Sequence, residues 1–310
     1  MSEVLVEAGI DAGLAWHFGD PLAEQRVMLA GRGVVGLGNR EVFTITGPQR
    51  IEWLNQLTTS TFTAGQPGAG LILDAQGHVV HAFAGVDDGQ CFTAWAEPGA
   101  AEPLVDWLGR MKFWTKADVE LRPDLTVLWL GSAEATPQDA VELPDPIGDG
   151  RLLIMAHDDA VQVPGAPVGI WAYEALRIAA GVPRVGVDTD ARTIPNEIGL
   201  FATVLGKGCY PGQETVARIH ALGRPPRRLV GLLMDGSEER LPECGAQITL
   251  DDKQIGVLGS AAQHFELGPV GLALIKRNVP VDATLLVDGL TANQEILVDP
   301  DVGEHFRPNL

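Results

Sequence analysis

The sequence predicts an α+β chain of more than one domain, closing with a small β-barrel or sandwich. Its 310 residues exceed the usual span of a single hydrophobic core. Helical and strand-like patterns alternate as far as the Pro225–Pro226 pair. Beyond it come six short strand patterns, RLVGLLM, AQITL, KQIGVLGSAA, GPVGLALI, ATLLV and QEILV, separated by turn residues and without a convincing helix. A boundary is therefore expected near Pro225, with residues 1–225 forming one region and 226–310 the all-β domain.

The elements before that boundary follow in order. Residues 22–30 read as irregular or a short helix. Gly31, Gly33 and Gly36 spell GxGxxG, but EVFTITG alternates like a strand where a dinucleotide-binding turn would open a helix. The glycines are therefore read as a turn into a strand. GPQRIEWLNQLTTS carries Ile51, Leu54 and Leu57 at helical spacing behind Pro48. GLILDAQGHVVHAFAGV and QCFTAWA read as strands, with a turn at Asp74–Gly77. Residues 97–111 place Leu104, Val105, Leu108 and Met111 on one helical face. ADVELRP, LTVLWLG and RLLIMA are strands, and residues 132–150 between the last two read as a loop. WAYEALRIAAG is a helix ended by Gly181 with Pro183 beyond, and ETVARIHALG is another, stopped at Gly223.

Composition narrows the function. The formal net charge of −19 disfavours direct nucleic-acid binding and anionic membranes. No apolar run is long enough for a membrane span, and the first twenty residues lack the pattern of a signal peptide. Cys91, Cys209 and Cys244 are odd in number and form no CxxC pair. That argues against a disulfide framework or a cysteine-rich metal site and suits a reducing cytoplasm. Against the acidic background, Lys207, Arg218, Arg224, Arg227 and Arg228 face the single acid Glu214, a local +4 between residues 207 and 228. This segment is either a solvated loop or a site for an anionic ligand.

Within it lies Lys207-Gly208-Cys209-Tyr210-Pro211-Gly212-Gln213-Glu214. Nearby positive charge and a following helix N-terminus both favour a thiolate, so Lys207 and Cys209 form a candidate reactive pair. Gly208 and Gly212 permit backbone conformations or close approaches that side chains forbid. Tyr210 offers a ring for stacking, and Gln213 and Glu214 can hydrogen-bond a polar heterocycle or cap the helix. The plain alternative is an inert cysteine in a tight turn.

The octet and the Val-Ala-Arg that follows resemble the signature K-G-C-Y-x-G-Q-E-x-V-A-R of the YgfZ family of folate-binding proteins. These are iron–sulfur assembly or repair factors related to the glycine-cleavage aminomethyltransferase. Gly47–Thr58, the hairpin LILDAQGHV, and LRIAAGVP followed by IPNE are similar to further family segments in the expected order. The resemblance covers roughly residues 27–230. It implies an aminomethyltransferase-like fold of two interleaved antiparallel-sheet α/β domains followed by a C-terminal β-barrel, around a folate cavity. It also implies tetrahydrofolate as ligand, iron–sulfur client or assembly proteins as partners, and a reactive cysteine. The site residues carried over are Cys209 and Lys207 for chemistry, with Tyr210, Gln213, Glu214, Arg218, Glu197 and Arg228 for the folate. No metal site is expected.

One departure bears on activity. The transferases carry acidic residues in the hairpin, where Gly77-His78-Val79-Val80-His81-Ala82 stands here, and an acidic residue at the position of Ala179. Aminomethyl transfer is therefore not expected, and the leading expectation is a folate-binding accessory protein. The alternatives are a folate-dependent one-carbon transferase or demethylase with a rearranged site, and an interaction module retaining only the fold.

Overall fold

The structure, a computed structural model, describes residues 3–238 and 240–304. Its contacts divide it into two compact units. Unit 1 takes in the chain up to Ile72, then His81–Glu174 and Gly206–Tyr210. Unit 2 takes in Leu73–Val80, Ala175–Leu205 and the chain from Pro211 onward.

Unit 1 opens with a small hairpin, β1 (Val4–Leu5) and β2 (Ala15–His17), followed by α1 (Pro21–Leu29). Asp20 caps α1, its Oδ1 accepting from the amides of Leu22 at 3.1 Å and Ala23 at 2.9 Å. Then come β3 (Val34–Gly36), β4 (Glu41–Thr46), α2 (Arg50–Leu57), β5 (Gly68–Leu73), β6 (Val79–Asp87), β7 (Cys91–Ala96), α3 (Ala101–Met111) and β8 (Asp118–Leu121). The remaining elements are β9 (Leu125–Gly131), β10 (Val141–Pro144), β11 (Gly150–Ala156), the single turn α4 (His157–Ala160) and β12 (Pro167–Val168).

Two five-stranded sheets result, in the orders β5-β6-β7-β4-β8 and β10-β11-β9-β3-β12. The chain interleaves them, because β3 and β9–β12 build one while β4–β8 build the other. The first sheet's apolar face packs on the regularly spaced Trp53, Leu54 and Leu57 of α2 and Leu104 and Leu108 of α3. Phe43, Phe62, Phe83 and Phe92 meet edge-to-face or stacked at 5.0–6.1 Å within this core. The second sheet contains β10, which the sequence reading treated as loop. It is an edge strand of four residues ending in Pro144, where a missing amide donor costs no ladder bond.

α5 (Ile170–Ala179) leads in sequence from unit 1 into unit 2. There a 3-10 turn (Pro195–Ile198) and α6 (Gln213–Leu222) precede the barrel. β13 (Arg227–Met234), β14 (Gln247–Leu250), β15 (Lys253–His264), β16 (Gly268–Lys276), β17 (Leu285–Val287) and β18 (Leu290–Ile296) close in the order β13-β16-β15-β14-β17-β18. All six predicted strands are present, although β18 begins four residues before the QEILV that signalled it. The alternate residues Val230, Leu232 and Met234 of β13 fill the interior with Ile248, Leu285 and Val287.

A charged cluster is buried in unit 2. Arg177 Nη1 donates to Asp188 Oδ2 at 2.8 Å and to the Val182 carbonyl at 2.6 Å, and its Nη2 donates to Ser260 Oγ at 2.8 Å. Ser260 Oγ donates on to Asp188 Oδ1 at 2.6 Å, and the Arg184 amide donates to Asp188 Oδ2 at 2.8 Å. The Arg177 and Asp188 side chains are 1% and 0% exposed. Removing one charge leaves the other uncompensated in the interior, so Asp188→Asn is expected to cost about 3 kcal/mol in denaturant unfolding. Replacing both members together, Arg177→Met with Asp188→Leu, should recover most of that loss. A single replacement as mild as the double would show that the cluster is not coupled.

Candidate functional site

The division between the units falls inside the signature octet, after Tyr210. In unit 1, Lys207 Nζ donates to three carbonyl oxygens beside the C-terminal turn of α2. These are Asn55 O at 2.8 Å, Thr58 O at 2.7 Å and Ser60 O at 2.5 Å. A helix C-terminus presents carbonyls without intrahelical partners, and a cation satisfies them while meeting the negative end of the dipole. The acceptors are held in place, since the Asn55 side chain donates to Phe62 O at 3.0 Å and accepts from Phe62 N at 2.7 Å. Burial pushes the Lys207 ammonium down to about 8, a shift that its three acceptors oppose. Tyr210 is buried, with its ring centroid 5.5 Å from the same Nζ. Lys207 and Tyr210 therefore hold the loop to α2, and the ammonium's three protons are directed at carbonyls. Cys209 is exposed.

The two glycines expected to act alike do not. Gly208 has no positive φ, and a Cβ built on it meets nothing within 4 Å. Gly212 is required: its φ is +78°, and a Cβ there would lie 2.6 Å from the Asp74 carbonyl oxygen and 2.9 Å from Gly77 Cα. Gly77, with φ +87°, is the reciprocal case, because its Cβ would stand 2.9 Å from Thr215 Cβ. The start of α6 and the hairpin turn Asp74–Gly77 thus meet backbone to backbone within unit 2. Asp74 shapes that turn. Its Oδ1 accepts from Gln76 N and His78 N at 2.9 Å each, and its Oδ2 lies 2.9 Å from His78 Nδ1. Partial burial works against the Asp74 carboxylate, yet these hydrogen bonds hold it below its usual range. The hairpin motif and the signature are therefore two halves of one contact.

Unit 2 also holds the predicted ligand-binding carboxylate. Glu197 is fully buried, and Arg227 grips it from two sides, Nε to Oε1 and Nη2 to Oε2, both at 2.8 Å. Arg227 Nη1 also reaches Asp190 Oδ2 at 2.6 Å. The Arg227 hydrogen bond, ahead of the opposing burial, holds Asp190 down at about 2. Arg227 and Asp190 border a cleft of about 390 Å³ whose lining includes Val187, Thr189, Val257 and Lys276. Sequence reasoning named Arg228 and missed Arg227. Arg228 is 0% exposed, shares the inward parity of Val230 and Leu232, and donates from Nη2 to Gln294 Oε1 at 2.7 Å and Val279 O at 3.2 Å. The strand's period of two was the available signal, because it assigns one of two adjacent arginines to the core and the other to the cleft.

The remaining predicted residues scatter over α6. Glu214 and Arg218 are exposed and Gln213 is half-buried. The local +4 is consequently not an open basic patch, since Lys207 faces carbonyls, Arg227 is matched by two carboxylates and Arg228 is inside the barrel. On β6 in unit 1, His81 and Ala82 are half-buried. Burial and then the Arg110 charge push the His81 imidazole below its ordinary value, towards the neutral form. No three His, Cys, Asp or Glu side chains converge as a metal site among the described residues. No described helix is long and apolar enough to cross a membrane.

Comparison with known proteins places this architecture. Over 96% of its length the chain superposes on the glycine cleavage system aminomethyltransferase T of Bartonella henselae, covering 94% of that chain with a TM-score of 0.76 and 18% identity. The protein therefore has the aminomethyltransferase fold, a mixed α/β arrangement with interleaved, mainly antiparallel sheets, in one of which β12 runs parallel to β3, and a closed C-terminal barrel. An aminomethyltransferase of Nitrosococcus oceani is 26% identical over 277 residues, covering 74% of this chain and 72% of that protein. A putative chloroplastic transferase of Arabidopsis thaliana is 31% identical over 147 residues, 41% of this chain, and the match spans 33% of that relative's length. No protein-family model matches the chain.

The glycine geometry gives a paired expectation. Gly212→Ala should cost about 1–3 kcal/mol, because it adds both a backbone penalty and a clash with another main chain. Gly208→Ala should be neutral in the same melting experiment. Equal effects would remove the assigned contact. Acid provides a second test, because Asp190 is depressed when folded. Its stabilising contribution should be complete above the unfolded value near 3.8 and disappear as pH falls towards about 2. Asp190→Asn should flatten that part of the acid-unfolding profile.

Proposed function

We propose that the protein is a reduced-folate-binding accessory factor for iron–sulfur enzymes, with Cys209 as its reactive or ligating group. One observation carries the cysteine assignment. Within the signature, Lys207, Tyr210 and Gly212 have local structural tasks, whereas Cys209 stands exposed beside Gly208, which folding does not require to be glycine. An accessible thiol in an otherwise structural loop is open to metal, disulfide or alkylating chemistry.

The folate assignment is supported by the fold and by the unit 2 cleft, whose volume lies in the range of small-molecule sites. Arg227 and Lys276 supply cations at its wall for the carboxylates of a glutamate tail, and Val187 and Val257 supply apolar surface. A tail carboxylate has to share Arg227 with Asp190. The alternative reading is a folate-dependent one-carbon transferase, favoured by the names of the relatives. The half-buried His81 and Ala82 oppose it, since neither provides the fixed negative charge that would orient an aminomethyl donor.

A polyglutamylated tetrahydrofolate is expected to bind more tightly than the monoglutamate, with the difference shrinking as salt rises. Equal affinities at low salt would remove the tail from Arg227 and Lys276. Purified protein should form no appreciable methylene-tetrahydrofolate from an aminomethyl donor; robust turnover would establish the transferase reading instead. Cys209→Ser should fold and bind folate as the parent does, yet fail to sustain iron–sulfur enzyme activity in cells lacking the native protein. A fully active Cys209→Ser strain would return the cysteine to a passive role.

A further inference from the structure

A second feature of unit 1 is independent of the folate reading. After α3 the chain turns at Lys112–Thr115, where Thr115 N donates to Lys112 O at 2.8 Å. Phe113 and Trp114 occupy the centre of the turn. Phe113 takes a φ of +44°, in the left-handed region that disfavours bulky side chains by about 1–2 kcal/mol. Neither ring is sheltered: Phe113 is 78% exposed and Trp114 is 97% exposed. Aromatic side chains of this size ordinarily contribute by burial, so folding alone does not account for a strained backbone that turns two of them outwards.

The base of this tip is fixed. Lys116 N donates to Gln49 Oε1 at 2.8 Å, Gln49 N donates to Lys116 O at 3.3 Å, and Ala117 is buried. The tip carries Arg110, Lys112 and Lys116 between Asp106 and Asp118; Lys112 Nζ pairs with Asp118 Oδ1 at 2.5 Å, which leaves Arg110 and Lys116 as the cations beside the two rings.

A recess of complementary character lies on the same unit. A cleft of about 210 Å³ is lined by Pro137, Gln138, Asp139, Met155, Asp159 and Gln162. An apolar cavity of about 150 Å³ is enough to hold a benzene ring, so this one has room for an aromatic side chain. Met155 and Pro137 offer apolar contact, and Asp139 and Asp159 bring negative charge. Val161, two residues from Asp159, is 87% exposed and extends the apolar surface.

We propose that the Phe113–Trp114 tip of one molecule docks in the acid-rimmed recess of a second copy, with Trp114 as the inserted ring. Because each copy carries both tip and recess, a twofold pairing can satisfy two tips at once, the self-complementary pattern of closed dimers. An anionic bilayer fits less well, since an extended charged plane confronts the acidic surface broadly. A recess confronts only the basic tip, and charges beyond about 8 Å are screened at physiological salt.

Sedimentation of the full chain at about 0.15 M salt tests this. The parent protein should dimerise in a concentration-dependent manner. Trp114→Ser should weaken dimerisation by about tenfold or more, the scale of losing a buried aromatic anchor. Lys116→Glu and Asp159→Lys should each weaken it, and the two together should restore it, a rescue that misfolding cannot mimic. A parent that stays monomeric at every concentration would overturn the proposal, as would a dimer indifferent to Trp114→Ser and Asp159→Lys. A monomeric parent whose Trp114 emission shifts to the blue with phosphatidylglycerol vesicles would likewise overturn it and assign the tip to membranes.

Discussion

The signature loop depends on one ammonium group surrounded by three carbonyl oxygens. The Lys207 contacts to Asn55, Thr58 and Ser60 join residues about 150 positions apart in the chain. Partial burial makes any unpaired group at this point costly, so lysine, carbonyls and the Asn55–Phe62 hydrogen bonds stand or fall together. A long, flexible cation suits the task because three acceptors surround a tetrahedral –NH3+ better than a planar guanidinium. With the loop held at Lys207 and by the buried Tyr210 ring, the intervening Gly208 and Cys209 remain at the surface.

The elements of the fold were legible because they are local. Periods of 3.6 in α2 and α3 and the rhythm of short strands after Pro226 required only neighbouring residues. β10 escaped because four residues ending in proline, inside a segment rich in Pro, Asp and Gly, carry almost no strand signal. What decided the site was tertiary. Gly208 and Gly212 look equivalent in the sequence, and only the approach of the Asp74–Gly77 turn makes one indispensable. The D-x-x-G and P-G-Q-E segments each read as a turn, and nothing in either announces the other as its neighbour. Arg227 and Arg228 were separable in principle by parity, yet an argument from net charge treats them alike.

That difference matters for electrostatics. A count of charges along the chain described a +4 segment, but folding assigns each cation a separate environment. Arg227 is gripped by Glu197 and Asp190 beside the cleft, and Arg228 is enclosed by the barrel. The field available to a ligand is therefore that of a few oriented donors, not of a diffuse basic surface. Such donors discriminate by geometry, since the Glu197 carboxylate already engages two nitrogens of Arg227. An anionic ligand reaching Arg227 would have to accept the direction still open to it or exchange with Asp190, whose greater exposure makes it the easier of the two carboxylates to displace.

The same separation of roles distinguishes fold from activity. A fold shared with an aminomethyltransferase supplies sheets, barrel and cleft, but chemistry depends on which side chains project from them. His81, pushed towards its neutral form and set beside Ala82, leaves that part of β6 without a carboxylate. The signature shows the converse. Its lysine, tyrosine and second glycine are explained by hydrogen bonds, burial and close backbone packing, and its cysteine is explained by none of them. Residues that a fold needs are those whose replacement leaves a group unpaired or a clash unrelieved. Cys209, a free thiol at the surface, meets neither condition.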